Sequence, residues 1–223
     1  MMVTLAAGVA HEISTPLNVI AGRAEQLEGR STDDRSRHAA QIIAQQAGRI
    51  SDVIRGFLRL ARGDVPALER VDPRTVARAA VELVEHRFEK TGVSLEFGDR
   101  DDVPMVRGDA RLLEQAVINL LLNACDACPR GGHVELRVET VDNDVRFSVL
   151  DDGAGISPAD AARAVEPFFT TKPMDKGTGL GLAIANEIVA IHRGTLALAP
   201  RSPRGTVAAF QIPIEQRGAD GRS

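Results

Sequence analysis

Cysteine occurs only twice in the 223 residues, at Cys125 and Cys128. One Cys-x-x-Cys pair supplies two of the four ligands of a structural zinc site, which excludes that use, and its place in an apolar helical pattern predicts two small buried residues rather than a redox centre. No apolar stretch approaches the roughly 20 residues that cross a bilayer. The opening residues are apolar but uncharged, so they lack the basic start of a signal peptide. Positive charge is in short supply too: 27 lysines and arginines stand against 31 acidic residues, a net charge of −4. With no basic run to offset that balance, a nucleic-acid surface is not expected. What remains is an ordinary globular composition, 43% hydrophobic and 26% charged, with room for about two domains.

What is present concentrates first in the C-terminal half. Glu166 to Leu182 reads Glu-Pro-Phe-Phe-Thr-Thr-Lys-Pro-Met-Asp-Lys-Gly-Thr-Gly-Leu-Gly-Leu, a basic loop entering a glycine-rich turn that opens an apolar helix. Gly177, Gly179 and Gly181 leave backbone N–H groups open to phosphate oxygens, and a helix beginning near Leu180 points its positive dipole end at them. Thr170, Thr171, Lys172 and Lys176 add hydroxyl and cationic donors. The Gly-x-Gly-x-Gly spacing is neither a dinucleotide fingerprint nor a Walker loop, and alone it is equally a tight turn. Two further segments agree with phosphate binding. Asn119 and Asn123 stand four apart in an apolar helical pattern over Ala116 to Cys128, so both amides share one face. An asparagine carbonyl is a hard oxygen ligand that Mg²⁺ accepts while keeping its waters and bridging to phosphates. Asp151-Asp152-Gly153-Ala154-Gly155 follows the strand-like run Val145 to Leu150, which puts a carboxylate at a strand end, able to accept from an exocyclic amine such as that of adenine.

The N-terminal quarter has a different pattern. Ala6, Ala10, Ile13, Leu17, Ile20, Ala24 and Leu27 alternate four and three apart, a heptad stripe. His11, in His11-Glu12-Ile13-Ser14-Thr15-Pro16-Leu17-Asn18, falls nearly opposite that stripe and so faces solvent rather than a core. A neutral imidazole titrates near neutrality and keeps one lone-pair nitrogen for attack on a phosphoryl group. Ile43, Ala47, Ile50, Ile54, Phe57 and Ala61 repeat the spacing, predicting a second helix from about Asp34 to Arg62 after a turn at Gly29 to Asp33. Two such helices cannot bury their stripes well alone; docking on the second domain or pairing into a dimeric four-helix bundle would cover them.

Taken in order, these motifs resemble those of the sensor histidine kinases of two-component systems, with a HisKA-type phosphoacceptor hairpin and a GHKL-type HATPase domain. His11-Glu12 to Asn18 resembles the H box, Asn119-Leu-Leu-Leu-Asn123-Ala the N box, and Asp151 to Gly155 the G1 box. Glu166 to Lys172 resembles the F box, Gly177 to Gly181 the G2 box, and Gly205-Thr206 the last nucleotide-contacting turn. The resemblance implies that His11 is the phosphoacceptor, that Glu12 orients it and acts as base, and that Thr15 positions water for a phosphatase activity. It implies that Asp151 reads adenine, that Asn123 ligates Mg²⁺ with Asn119 beside it, and that Gly153, Gly155, Phe168, Thr170, Thr171, Lys172, Lys176, Gly177, Thr178, Gly179, Leu180, Gly181 and Thr206 surround ATP. The partners implied are a second copy of the chain through the hairpin, a response-regulator receiver domain, and a sensory input that is separate or missing. A cytoplasmic location goes with these.

The expected fold class is α+β: a hairpin at 1–63, a linker at 64–70, an α/β sandwich ATP-binding domain of the Bergerat type at 71–215, and a flexible tail at 216–223. Within the sandwich we expect helices at Pro73 to Thr91, from Asp109, and at Leu180 to His192. Strands are expected near Val93 to Phe97, Val134 to Glu139, Val145 to Leu150, Thr195 to Leu198 and Val207 to Ile212. Arg193 departs from a glycine common at that turn in the family. ATPase clamps of the gyrase and Hsp90 type share the fold but use a glutamate base where Asn119 stands, and an asparagine cannot be that base. Anti-sigma serine kinases lack the hairpin, and a degenerate adaptor would not need intact nucleotide motifs.

Overall fold

The computed structural model describes residues 17, 19–30, 33–37, 39, 40, 43, 47, 68–98, 102–172 and 179–214. The chain divides into two compact units, Met1–Val65 and Pro66–Ser223. His11, Glu12, Thr15, Lys176, Gly177 and Thr178 lie outside the described residues, as do 64–67 of the expected linker and the expected tail. No helix among the described residues is long and apolar enough to cross a membrane.

The described part of the first unit is helical. Leu17 packs with Ala21 and Ala47, which joins the two stripes read from the sequence. Asp33 caps the second helix at its expected start: its carboxylate accepts from the Ser36 hydroxyl at 2.7 Å and from the backbone N–H groups of Ser36 at 3.0 Å and Arg35 at 3.3 Å. Those bonds, the Ser36 hydroxyl first, hold the carboxyl below its ordinary range. Ile20, Leu27 and Ile43 of the same stripes remain 47%, 60% and 46% exposed in the single chain.

In the second unit, helix α1 (Pro73–Thr91) starts where Asp72 accepts from the Arg74 N–H at 2.9 Å, with Pro73 in the first turn, and ends at Gly92, whose φ of 70° lets its N–H return to Phe88 and Glu89. Its buried positions Val76, Ala77, Ala80, Val84 and Phe88 recur three or four apart. Helix α2 (Ala110–Ala127) is capped by Asp109 and buries Leu113, Ala116, Val117, Leu120, Leu121 and Ala124 in the same manner. The strands are β1 (Glu69–Val71), β2 (Ser94–Gly98), β3 (Val106–Gly108), β4 (His133–Val141), β5 (Asp144–Asp151), β6 (Thr195–Pro200) and β7 (Thr206–Pro213), and two further helices are α3 (Pro158–Arg163) and α4 (Gly181–Ile191).

Five strands form one mixed sheet in the order β2-β4-β5-β7-β6, with only β2 and β4 parallel. Alternation sends Val134, Leu136 and Val138, Val145, Phe147 and Val149, and Ala208, Phe210 and Ile212 into the core shared with α1, α2 and α4. Phe147 and Phe210 stack there, 4.6 Å between ring centroids. Glu135, Arg137, Arg146 and Gln211 line the opposite face, so the unit is two layers, helices over a sheet, as the sequence predicts.

Every helix and strand expected in this unit forms, to within two residues at the ends. Three elements were not expected. The three-residue strands β1 and β3 pair with each other, so Glu69 and Arg70, read as linker, belong to a sheet, and α3 is a six-residue helix capped by Ser157. Such lengths are too short for periodicity to register. Arg193 takes φ 57°, the left-handed conformation that glycine would adopt without strain.

Candidate functional site

Asp151 is the last residue of β5 and is buried. Its Oδ1 accepts from the Gly153 N–H at 2.9 Å and from the Thr206 N–H at 3.1 Å, which ties the turn after β5 to the start of β7. Burial, partly opposed by these two bonds, pushes the carboxyl above its ordinary range. The turn is braced from three sides. Ala154 N–H donates to Ala127 at the end of α2, Arg204 Nε donates to the Gly153 carbonyl at 2.8 Å, and an Arg201 guanidinium N–H donates to the Asp151 carbonyl at 3.2 Å. Gly205 at φ +107° lies so close that a Cβ there would collide with the Asp151 carbonyl. One face of the Asp151 carboxylate is thus held by backbone, and Oδ2 takes no hydrogen bond from the described residues.

Helix α2 lies over β5 and carries both asparagines. Asn119 Oδ1 accepts from Gln115 Nε2 at 3.1 Å, while Asn119 Nδ2 is buried with no partner among the described residues. An unpaired buried donor is costly unless a ligand completes it. Asn123 Oδ1 accepts from Lys172 Nζ at 3.1 Å, and the same ammonium reaches Asp126 Oδ2 at 3.2 Å. Lys172, read from sequence as a phosphate contact, is therefore directed at α2 in this structure. Thr170 Oγ1 is used locally, accepting from the Lys172 N–H at 3.1 Å, and Thr171 is exposed.

The Phe168 N–H donates to the Gly179 carbonyl at 2.9 Å, so these two residues, on either side of the glycine-rich turn's basic loop, meet. Gly179 has φ +65°, and a Cβ on it would stand 2.7 Å from the Phe168 and Phe169 carbonyl oxygens, which only glycine avoids. Leu180 then precedes α4 without a side-chain cap, which leaves first-turn N–H groups oriented as an anion site requires. Gly155, with φ +82°, approaches the Gly205 backbone. The structure thus gathers Asp151, Gly153, Gly155 and Thr206 at one place, Asn119, Asn123 and Lys172 at a second, and Phe168, Gly179, Leu180 and Gly181 at a third.

Cys125 is buried beside the Thr91 hydroxyl at 3.2 Å, as expected. Cys128 is only half-buried, and its thiol donates toward Asp152 Oδ1 at 3.4 Å. Burial and the neighbouring carboxylates push that thiol up to about 12, where it carries no thiolate at neutral pH. Sequence reading missed Asp126 and His192. Asp126 is three residues after Asn123, a spacing that signals a shared helix face. His192 is buried: its Nε2 accepts from the Asp109 N–H at 2.9 Å and its Nδ1 lies 2.7 Å from the Ile188 carbonyl, so it joins the end of α4 to the start of α2.

The donor set fits a metal-bound nucleotide. No trio of His, Cys, Asp or Glu among the described residues could hold a metal ion, so a protein cage is absent there. Mg²⁺ needs no such cage when phosphates and water complete its shell around one or two protein oxygens. Asn123 offers such an oxygen, and a cation already rests on it in the form of Lys172. The unpaired Asn119 amide and the open oxygen of Asp151 supply a donor and an acceptor for the rest of the ligand.

Two family models match the chain: the His Kinase A (phospho-acceptor) domain over residues 1–66, and the histidine kinase-, DNA gyrase B- and HSP90-like ATPase over residues 108–216. Sensor histidine kinase ZraS of Escherichia coli (strain K12) is 34% identical over 211 residues, covering 94% of this chain and 45% of that protein. The chain therefore spans less than half the length of this curated relative. Full-length ShkA in complex with AMPPNP superposes with a TM-score of 0.78 at 28% identity, over 96% of this chain and 46% of that one. Histidine kinase ThkA, solved in complex with the response regulator protein TrrA, gives a TM-score of 0.70 at 27% identity, over 94% of this chain and 61% of that one.

Proposed function

The chain belongs to the sensor histidine kinases of two-component systems, and on that premise we propose that it is a dimeric, ATP-dependent histidine autokinase. In this reading His11 attacks the γ-phosphorus of ATP, ADP departs, and the phosphoryl group passes from His11 to an aspartate of a response-regulator receiver domain. Glu12 accepts the imidazole proton and fixes its tautomer. Asp151 accepts from the adenine amine, Asn123 ligates Mg²⁺ with Asn119 beside it, and the backbone of Gly179 to Gly181 with Thr170, Thr171, Lys172 and Lys176 contacts phosphate. When bound, Mg²⁺ would neutralise charge on the transferring phosphoryl group.

The observation that carries the reading is the cation on Asn123: Lys172 Nζ lies 3.1 Å from its amide oxygen, which supports a role for that oxygen toward positive charge. The buried carboxylate of Asp151 at the end of β5 supports the adenine assignment. ShkA was solved with AMPPNP, a nucleotide, and ThkA with a response regulator, which support ATP and a receiver domain as ligand and partner. Dimerisation is supported by the exposed Ile20, Leu27 and Ile43. A phosphatase activity through Thr15 and a cytoplasmic site of action, where ATP is available, complete the proposal.

Incubation with γ-labelled ATP and Mg²⁺ tests it. Acid-labile, alkali-stable label is expected on the wild type and absent from His11→Ala, while Thr15→Ala keeps the label and loses removal of phosphate from the regulator. Nucleotide binding without label would favour an adaptor or a phosphatase.

A further inference from the structure

The reaction just described uses Lys172 as a phosphate contact but gives no role to its ion-pair partner Asp126. Asp126 stands one turn after Asn123 on α2, and its two oxygens have different partners: Oδ2 accepts from Lys172 Nζ at 3.2 Å, and Oδ1 accepts from an Arg87 guanidinium N–H on α1 at 3.1 Å. The side chains of Lys172 and Asp126 are 26% and 31% exposed, so the pair is only partly shielded from solvent. Arg87 fixes the carboxylate from a second helix. The ammonium also takes Asn123 Oδ1, the atom assigned above to the metal. A divalent ion would bind that oxygen at about 2.1 Å, and an ammonium on the same oxygen would face it across a few ångströms with like charge. Joint occupancy of Asn123 is therefore electrostatically opposed.

We propose that Lys172 is the resident cation of a two-oxygen seat made by Asn123 and Asp126, and that Asp126 is a positioning residue that sets how readily Mg²⁺ displaces it. The proposal rests on the nucleotide reading above. Loading is then a cation exchange. The ammonium leaves Asn123 for phosphate oxygens as the metal arrives, and apparent affinity is reduced by the fraction of molecules whose seat is filled by the lysine. Without the Asp126 charge, the lysine has only the neutral amide to hold it, and the seat opens.

Calorimetric titration of the chain with AMPPNP, in Mg²⁺ and separately in EDTA, tests this with wild type, Asp126→Asn, Lys172→Met and the double variant. Asp126→Asn is expected to tighten Mg²⁺-dependent binding about two- to fivefold, the range a partly exposed ion pair supplies. In EDTA it is expected to change binding less than about twofold, and in the Lys172→Met background to have no effect, because coupled residues are not additive. An equal gain in EDTA, or one that persists without the lysine, would mean simple relief of repulsion between Asp126 and phosphate and would overturn the proposal. Weaker Mg²⁺-dependent binding by Asp126→Asn would overturn it too. A wild type that binds AMPPNP in neither condition removes the nucleotide reading itself, and this inference with it.

Discussion

Asp151 accepts two backbone N–H groups and yet is held above the ordinary carboxyl range by burial. An acid whose folded pKa is raised contributes most stability below its unfolded value and loses that contribution as pH rises through the raised one. At neutral pH its buried charge therefore opposes folding, which is physically reasonable only if a ligand uses it. Asp151→Asn keeps an oxygen for Gly153 and Thr206 and removes the charge. Its melting temperature at pH 7 should equal or exceed that of the wild type, with the gap closing as acid protonates Asp151, while nucleotide affinity falls about 10- to 100-fold, the loss of one charge-assisted hydrogen bond. A lower melting temperature with unchanged affinity would contradict this assignment. The place of Asp151 at a strand end was legible from the strand-like run before it. Its bond to Thr206 was not, since nothing local to either residue specifies the other.

Caps and core stripes make the elements of the second unit legible one by one. Asp72 and Asp109 each accept from a first-turn N–H, and the stripes of α1 and α2 recur at helical spacing. Connections between elements are where tertiary demand overrides local preference. The turn before β7 is the strictest case, since Gly205 meets the Asp151 backbone. Gly205→Ala would have to displace that backbone and adopt φ +107°, so a loss of about 2–4 kcal/mol is expected, read from the midpoint of urea unfolding of the chain. An unchanged midpoint would mean that the two loops part without penalty. The strands β1 and β3 escaped the sequence for a related reason: each is three residues long, and their identity as strands comes from pairing with each other.

On the scale of the whole molecule, the hairpin leaves its seam half covered. Leu17 and Ala47 are buried in the single chain, whereas Ile20, Leu27 and Ile43, on the same stripes, are not. A second copy supplies the missing cover in the proposed four-helix bundle. Leu27→Glu would put a charge into that seam, and sedimentation equilibrium should report a shift from dimer toward monomer while the circular dichroism of the second unit persists. A wild type that sediments as a monomer at all concentrations would remove the bundle from the proposal.

The amino-acid order by itself determined the two heptad stripes, the capped helices, the alternating strands and the ordered motifs that mark the nucleotide site, because each depends on neighbours within a few residues. Only the tertiary structure decided which of those residues act together. Thr206 reaches Asp151 across 55 positions, Lys172 reaches Asn123 across 49, and His192 reaches Asp109 across 83. Such pairs form because the core sets the sheet order and lays α2 over β5, and the packing of Phe147, Phe210, Leu120 and their neighbours, rather than any local pattern, brings them within hydrogen-bonding distance.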